Sequence, residues 1–560
     1  MSEAETSFAC AWALVDELVR HGLADACVSP GSRSTLLALA LWRHPHVRVH
    51  VHLDERASAF FALGLSKATG RPVAIACTSG TAAAEFLPAV VEASMSRTPL
   101  VVLTADRPPE LRAVGANQTI DQPNLYGGYV VASIDAEVPG DRPDEPYWRE
   151  LASDAIRDAI GPPPRPVHLN LPFREPLVPA SDGPLVASTP GSPPRPSVMP
   201  TPGEVQQLRA ELSSTARGVI LAGSLAEAPR AVLDLARRAA WPLVAEPTSG
   251  LRLPGALAAG QLLLADEGFA AAHRAEVVLQ LGAAPTSRAG LSFVARAGRL
   301  VILDPAHLVA DPHRKAVWSV RADVGNTVDA ALEDLGPREG TPWLREWLEA
   351  DSRARETADR AMDGWDEPAE QRIARDLAAA LPDGSVLVVG SSMPVRDLDA
   401  CMGPREGLAV LANRGASGID GFVSTALGVA ATERPTVALC GDLTFVHDVG
   451  ALLWSARRGL DATFVVVNNG GGTIFSFLPQ RDLPELEELF TTPHGLHLGA
   501  VCAAAGARHE RVERSADVIP ALERSMGVAG VGVVEIVVDP EQNRQRHAEL
   551  AAAVAAALGG

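Results

Sequence analysis

The chain is short of three things, and each shortage excludes a class of protein. It has six cysteines in 560 residues: Cys10, Cys27, Cys77, Cys401, Cys440 and Cys502. None belongs to a CxxC pair and most lie among Ala, Val and Leu. Buried free thiols in a reducing compartment are therefore expected, rather than a disulfide framework or a zinc site. There is no excess of positive charge: 49 Lys and Arg stand against 68 Asp and Glu, a net charge of −19. Such a surface repels nucleic acid and anionic membrane. No uninterrupted apolar run is long enough to cross a bilayer. The first residues, MSEAETSFACAWALVDELVR, are acidic and polar where a signal peptide is basic, and read as an amphipathic helix. A cytoplasmic protein with neither nucleic acid nor membrane as partner is expected. What is present, 47% hydrophobic and 21% charged residues, is a globular composition, in a chain long enough for roughly two to four domains.

Helix-like and strand-like segments alternate along it. Strands are predicted at Ala26 to Val28, Val47 to Leu53, Val73 to Cys77 and Leu100 to Thr104, and glycine or small polar residues follow several of them. Repeated units of this kind predict a doubly wound parallel sheet, whose strand ends are where ligands bind. A second α/β block is predicted from strand candidates at Gly218 to Leu221, Pro242 to Ala245, Val277 to Leu281 and Leu300 to Leu303. A third block has candidates at Ser385 to Val389, Thr436 to Cys440, Thr463 to Val467 and Val533 to Val538. The fold class is thus α/β, with three doubly wound parallel-sheet domains. The expected division is 1–185, a proline-rich linker over 186–205, a central domain over 206–350, a helical connector over 351–375, and a third domain over 376–560.

In the third block one predicted strand runs into Gly441-Asp442 and another into Asn468-Asn469-Gly470-Gly471-Gly472. A parallel sheet delivers both to one edge. A carboxylate and an amide oxygen are hard ligands suited to a Mg²⁺ that bridges a diphosphate, and glycines let backbone groups approach metal and phosphate. Either piece alone is an ordinary turn; together they resemble the thiamine-diphosphate motif. Asn413 to Gly421, leading into a helix predicted over Ser424 to Ala431, is a second phosphate candidate. A glycine-rich turn that merely packs fits it as well. In the first block, Asp54-Glu55-Arg56 follows a strand and precedes a helix. Glu55 reads either as a buried catalytic acid or as an N-terminal helix residue favoured by the macrodipole, and the pattern alone favours the second. His44, His46, His50 and His52 lack the spacing of a metal cluster, so packing or hydrogen-bonding roles are expected.

Several runs together resemble one family. They are Ser29 to Ser34, His52 to Arg56, Cys77 to Thr81, Thr104 to Arg112, Gly115 to Gln122, Asn413 to Gly421 and Gly441 to Asp448. In this order they are similar to the 2-succinyl-5-enolpyruvyl-6-hydroxy-3-cyclohexene-1-carboxylate synthases of menaquinone biosynthesis, thiamine-diphosphate-dependent transferases. The resemblance spans essentially the whole chain, and its arginine-bearing runs separate it from acetolactate synthase or pyruvate decarboxylase. It implies decarboxylation of 2-oxoglutarate and conjugate (Stetter-like) addition of the succinyl unit to isochorismate. It implies a pyrimidine-binding, a central and a diphosphate-binding domain. The cofactor is then shared between two subunits, so that a homodimer is obligate and a tetramer a further step.

Carried over by motif, the resemblance gives Glu55 the catalytic contact to the aminopyrimidine ring. Asp442, Asn469 and the carbonyl of Gly471 would hold Mg²⁺, or Mn²⁺ in its place. Ser417, Gly418, Ile419, Leu443, Thr444, Thr473 and Ile474 complete the implied cofactor site. The implied substrate residues are Ser32, Arg33, Arg107, Asn117, Gln118, Arg288, Ser392, Arg396 and Arg414, with Ile474, Phe475 and Leu478 lining the apolar part. Arginine suits substrates with several carboxylates because its planar fork binds them bidentately. Gly282 to Arg288 only loosely resembles the family's central-domain loop, and Ser392 is chosen over Ser391 on its spacing to Arg396. One rival is a related carboligase or decarboxylase acting on a smaller 2-oxo acid, which would leave buried guanidinium groups unpaired. Another is a non-catalytic protein that kept the fold, against which Glu55, Asp442 and Asn469 stand together.

Overall fold

The computed structural model describes residues 2–140, 145–180, 186–192, 196–306, 310–338, 340–455 and 458–559. The expected boundary at residue 185, and Pro193-Pro194 of the linker, lie outside the described residues. Three sheets, all of parallel pairs, are built from helix-flanked strands. The first contains β1 (Asp25–Val28), β2 (Arg48–Val51), β3 (Val73–Cys77), β4 (Leu100–Asp106), β5 (Ser133–Asp135) and β6 (Val167–Pro172), in the order β2-β1-β3-β4-β6-β5. The central sheet has β7 (Gly218–Ala222), β8 (Leu243–Ala245), β9 (Val277–Leu281), β10 (Arg299–Leu303) and β11 (Ala316–Val320), ordered β11-β10-β9-β7-β8. The third has β12 (Val386–Val389), β13 (Ala409–Ala412), β14 (Thr436–Gly441), β15 (Ala462–Asn468), β16 (Arg508–Val512) and β17 (Val531–Val537), ordered β13-β12-β14-β15-β17-β16.

The strands read as continuous apolar runs because both faces of each sheet are covered. Along β3 and β4, Ile75, Cys77 and Val102 enter one hydrophobic cluster and Ala74, Ala76, Val101 and Leu103 another, the period-2 alternation of a strand. The first of these clusters continues into the third domain through Ala438, Cys440, Phe464 and Val466. The two domains therefore share a core. Their seam is the pair of helices Glu55–Thr69 and Phe422–Ala430. A Cβ on Gly64 would lie 2.0 Å from the Thr425 carbonyl oxygen, and one on Gly428 2.1 Å from that of Phe61. Glycine is what lets these backbones approach so closely.

Of the two expected connectors, the proline-rich one ends in a helix, and the helical one is helical and packed into two cores. The stretch expected as linker over 186–205 gives way at Pro202 to the helix Pro202–Ser214. Thr201 and Glu204 form a capping box there, with proline in the first turn, where its missing N–H costs nothing. The connector expected over 351–375 is two helices, Pro342–Asp363 and Glu370–Ala380. The first buries Trp343 and Trp347 in the core of the central domain, and the second buries Ile373 and Leu377 in that of the third. All six cysteines are free and buried. No described helix is long and apolar enough to cross a membrane.

Candidate active site

The third sheet brings the two halves of its motif together. Asp442 and Asn469 follow β14 and β15, which pair directly. Asp442 is 1% exposed, and burial pushes its carboxyl above the usual range, opposed by N–H donors and by His494. Oδ1 accepts from the Leu443 N–H at 2.6 Å, and Oδ2 from those of Gly470 and Gly471 at 2.8 and 2.9 Å. His494 Nε2 stands 3.5 Å from Oδ2. Asn469 spends its Nδ2 on Glu370 Oε1 and Thr473 Oγ1, both at 2.7 Å. Its buried Oδ1 has no hydrogen-bond partner among the described residues. Gly471 has φ +143, and a Cβ there would meet the Thr491 carbonyl oxygen at 2.3 Å. A carboxylate, an unpartnered amide oxygen and a carbonyl on a bare glycine form an all-oxygen donor set that fits a hard divalent cation. Beside it, Thr444 and Thr473 are buried, and Leu443, Ile474, Phe475 and Leu478 half-buried.

The Asn413 to Gly421 segment corrects one expectation. Its helix starts at Phe422, and the Ser424 N–H is already taken by the buried Asp448 Oδ2 at 2.7 Å. A Cβ on Gly421 would strike the Phe60 ring. This helix start therefore packs against the first domain and is closed by its own carboxylate, and it is not an open phosphate cradle. Ser417, with φ +63, and Gly418 and Ile419 lie on the loop before it. The loop is anchored from the first domain: Glu92 accepts from the Gly415 and Ala416 N–H groups at 3.0 and 2.7 Å. Glu92 also pairs with Lys67 at 3.0 Å, and Lys67 Nζ donates to the Ala412 carbonyl at 2.8 Å.

One set of expected substrate residues meets where the central and third domains join. Ser392, with φ +74, caps the helix Met393–Cys401 and accepts from Arg396 through its carbonyl. Burial lowers the Arg396 guanidinium pKa, and the charges of Arg414 and Arg288 lower it further. Arg414 is likewise lowered by burial, with Glu246 and Glu92 opposing, and its buried Nε has no partner among the described residues. Arg288 opens the helix Arg288–Arg296 and is exposed. Glu246 accepts from Thr286 N and Oγ1 at 2.5 and 3.0 Å, holding the turn that presents Arg288. Burial, then Asp399, raises Glu246 to about 8.

The other set lies at the carboxyl edge of the first sheet. Arg33 is 6% exposed and donates to the Phe173 carbonyl at 2.9 Å and to Glu175 at 3.3 Å. Arg107 donates to Ser79 Oγ, and burial and then Arg33 lower its pKa. Gln118, with φ +55, donates to the Ser79 carbonyl at 2.9 Å and accepts from Ser79 Oγ at 3.0 Å through its own carbonyl. Ser32 and Asn117 are exposed on the flanking loops. Glu55 is the first residue of its helix, behind the N-cap Asp54. Burial raises its pKa, with Asp54 and Glu85 adding to the effect. It is thus both a helix N-terminal residue and a half-buried acid. His50 binds Asp25 at 3.0 Å and His52 packs at a tilt against Phe61, hydrogen-bonding and packing roles as expected.

Comparison with known proteins agrees with this arrangement. The thiamine pyrophosphate enzyme N-terminal, middle and C-terminal domain families match residues 9–125, 202–389 and 400–536. The chain is 45% identical to the 2-succinyl-5-enolpyruvyl-6-hydroxy-3-cyclohexene-1-carboxylate synthase of Thermobifida fusca (strain YX), over 99% of both chains. It is 41% identical to the synthase of that name from Chloroflexus aurantiacus, over 96% of this chain and 94% of the other. With that of Geobacillus kaustophilus it shares 41% identity over 98% and 97%. The chain belongs to this synthase family.

Some residues around the site were given no role by the motifs. Gln122 and Asn170, both 0% exposed, tie the Gly80 N–H to Asp106, whose carboxylate takes the Arg107 N–H. Asn170, Glu246, Glu370 and His494 escaped the sequence reading, because each reaches its place from a distant segment. Ser79, Asp106 and Gln122 sat inside runs already singled out, Cys77 to Thr81, Thr104 to Arg112 and Gly115 to Gln122.

Proposed function

We propose that the chain decarboxylates 2-oxoglutarate and adds the succinyl unit to isochorismate in conjugate fashion, with thiamine diphosphate and Mg²⁺ (or Mn²⁺), in menaquinone biosynthesis. The observation that carries the substrate class is the pair of arginine sets. A chain of net charge −19 keeps Arg33 close enough to Arg107, and Arg288 and Arg414 close enough to Arg396, to lower the pKa of Arg107 and of Arg396. Guanidinium groups gathered against their own repulsion, Arg288 exposed and the others buried or half-buried, call for anionic ligands.

Thiamine diphosphate, when bound, supplies the carbon nucleophile and the sink for the electrons released on decarboxylation. Asp442, Asn469 and the Gly471 carbonyl hold the cation against the diphosphate, with Thr444 and Thr473 beside them. Glu55 hydrogen-bonds the pyrimidine ring nitrogen, and its half-buried carboxyl favours the proton it must keep there. Ser417, Gly418 and Ile419 face the cofactor, and Ile474, Phe475 and Leu478 keep water from the reacting carbon. Ser32, Asn117, Gln118 and Ser392 orient the carboxylates that the arginines bind. Two copies complete the site, one lending Glu55 and the other Asp442, with a dimer of dimers as the larger assembly. Val51 and Leu53, 40% and 67% exposed beside Glu55, are apolar surface that a second copy would cover. Six buried free thiols suit a reducing cytoplasm.

The deciding experiment is an isochorismate-consumption assay with thiamine diphosphate and Mg²⁺. Turnover is expected only when 2-oxoglutarate is present. Equal turnover with pyruvate would overturn the substrate assignment.

A further inference from the structure

Behind Asn469 lies a buried polar chain that the motif does not contain. Glu370 opens the helix Glu370–Ala380 and is 5% exposed. Its Oε1 accepts from Asn469 Nδ2 at 2.7 Å. Its carboxyl oxygens, those of Asp397 and the His547 ring nitrogens come within 4.8 Å of one another. His547 Nε2 binds Asp397 Oδ1 at 2.9 Å, and its Nδ1 donates to the Asn543 carbonyl at 2.9 Å. Both ring nitrogens are thus engaged, which argues against this trio as a metal site of its own. Asn543 Oδ1 accepts the Glu370 N–H at 3.0 Å, so the C-terminal helix Pro540–Gly559 also holds the backbone of Glu370. Asp397 is the neighbour of Arg396 on the helix Met393–Cys401.

A carboxamide has nearly the same shape turned either way, so its surroundings decide which atom faces the metal position. Thr473 Oγ1, the second partner of Asn469 Nδ2, does not decide it, because a hydroxyl both donates and accepts. The Glu370 carboxyl, raised to about 7 by burial and by Asp397, shares with Asp397 any proton it takes up, so in either state the oxygen that faces Asn469 only accepts. It therefore holds the NH₂ end and leaves Oδ1, the end without a partner among the described residues, turned away from it. We propose that Glu370 is a positioning residue for Asn469, fixing the amide so that its oxygen is offered to the divalent cation, and that Asp397, on the helix Met393–Cys401, and His547, on the C-terminal helix, brace it. This rests on the assignment of Asn469 as a metal ligand. With Glu370 absent, the amide is free to turn its NH₂ toward the cation. Partners of metal ligands typically contribute about 10- to 100-fold in metal affinity.

The test is calorimetric titration of thiamine diphosphate into metal-free protein at a series of Mg²⁺ concentrations, with no turnover involved. Glu370→Ala is expected to raise the half-saturating Mg²⁺ by at least about tenfold. It should regain wild-type thiamine diphosphate affinity at saturating Mg²⁺, which a general structural lesion would not. Glu370→Gln is expected to stay within about threefold of wild type, since Asp397 takes its NH₂ end and leaves the carbonyl for Asn469. A Glu370→Ala protein whose Mg²⁺ half-saturation stays within twofold of wild type overturns the proposal. So does a Glu370→Gln protein as impaired as Glu370→Ala. Should Glu370→Ala not fold, Glu370→Met fills the space without an acceptor and is read the same way. Wild-type binding that needs no divalent cation would instead sink the metal assignment itself.

Discussion

The first and third sheets share one strand order, each running second-first-third-fourth-sixth-fifth in its own numbering, yet they end in different chemistry. Where β3 and β4 end, the first sheet places Ser79-Gly80 and Arg107; where β14 and β15 end, the third places Asp442 and Asn469. After β1 comes Arg33 and after β12 comes Arg396, so an arginine stands at the same place in both. After β2 comes Glu55, and after β13 comes Arg414. Even the buried polar residues correspond. Asn170 on β6 supports the end of β4 through Asp106, and Glu535 on β17 supports the end of β15 by accepting from Asn468 at 2.7 Å. On the proposed function, one scaffold makes two half-sites, an acid with arginines and an oxygen set that fits a cation, with arginines. What separates them is a handful of side chains at the strand ends, since the fold is common to both.

The division is sharpest between Glu55 and Asp442. Glu55→Gln is expected to lower kcat by about 10³-fold, the usual range for removing a proton-handling group, while thiamine diphosphate affinity stays close to wild type. Asp442→Asn is expected to do the reverse, weakening cofactor binding first. If Glu55→Gln and Asp442→Asn lose affinity and kcat in the same proportion, the two half-sites do not have separate tasks.

Much of this division was legible before any coordinates. Strand ends are marked by glycine and small polar residues, and the buried parallel strands themselves by continuous apolar runs, so β3 and β14 and the residues after them stand out. Glu370, Glu246 and Asn170 do not. Each works by reaching a residue distant in sequence: Glu370 to Asn469, Glu246 to Thr286, Asn170 to Gln122. Periodicity and local motifs hold no information about such pairs. The start of the helix Pro202–Ser214 was missed for a related reason: Pro202 ends a proline-rich run, whereas a proline in the first helical turn starts a helix. The two readings of Asn413 to Gly421, phosphate site or packing turn, could not be separated in the sequence because the contacts of Gly421 with Phe60 and of Gly415 with Glu92 and Met95 belong to the other domain.

The seam between the two sheets offers the next test. Glu92, 3% exposed, is the acceptor for Lys67 and for two N–H groups of the third domain. Glu92→Ala would strand a buried ammonium, a loss of about 3 kcal/mol or more, measured as a lower urea midpoint. A wild-type midpoint would mean that the shared apolar core alone joins the domains.

The arginine sets test whether each half-site recognises its own substrate. Arg107→Ala and Arg396→Ala are each expected to cost about 2 kcal/mol of substrate binding, roughly 30-fold in KM, with little change in kcat. The comparison predicts that each falls mainly on one of the two co-substrates. Steady-state titration of both substrates decides it, and variants that raise both KM values equally would break the division.

The smallest expected effect concerns the buried supports. His168 on β6 is held between Thr104 Oγ1 at 2.7 Å and Ser133 Oγ at 2.9 Å. Burial lowers its pKa from 6.5 to about 4. Between those values the unfolded chain takes up a proton and the folded chain does not, so stability is complete above 6.5 and falls as the pH drops toward 4. At pH 5.5 the loss through this residue is about 1.4 kcal/mol. The corresponding support in the third sheet, Glu535, accepts from His509 at 2.7 Å and from Asn468. Acid should therefore weaken the first half-site's support through His168. Urea unfolding of wild type and His168→Gln at pH 7.5 and 5.5 measures it. The wild type is expected to lose about 1.4 kcal/mol more than the variant over that interval, and equal losses would show that His168 takes up its proton as readily in the folded chain as in the unfolded one.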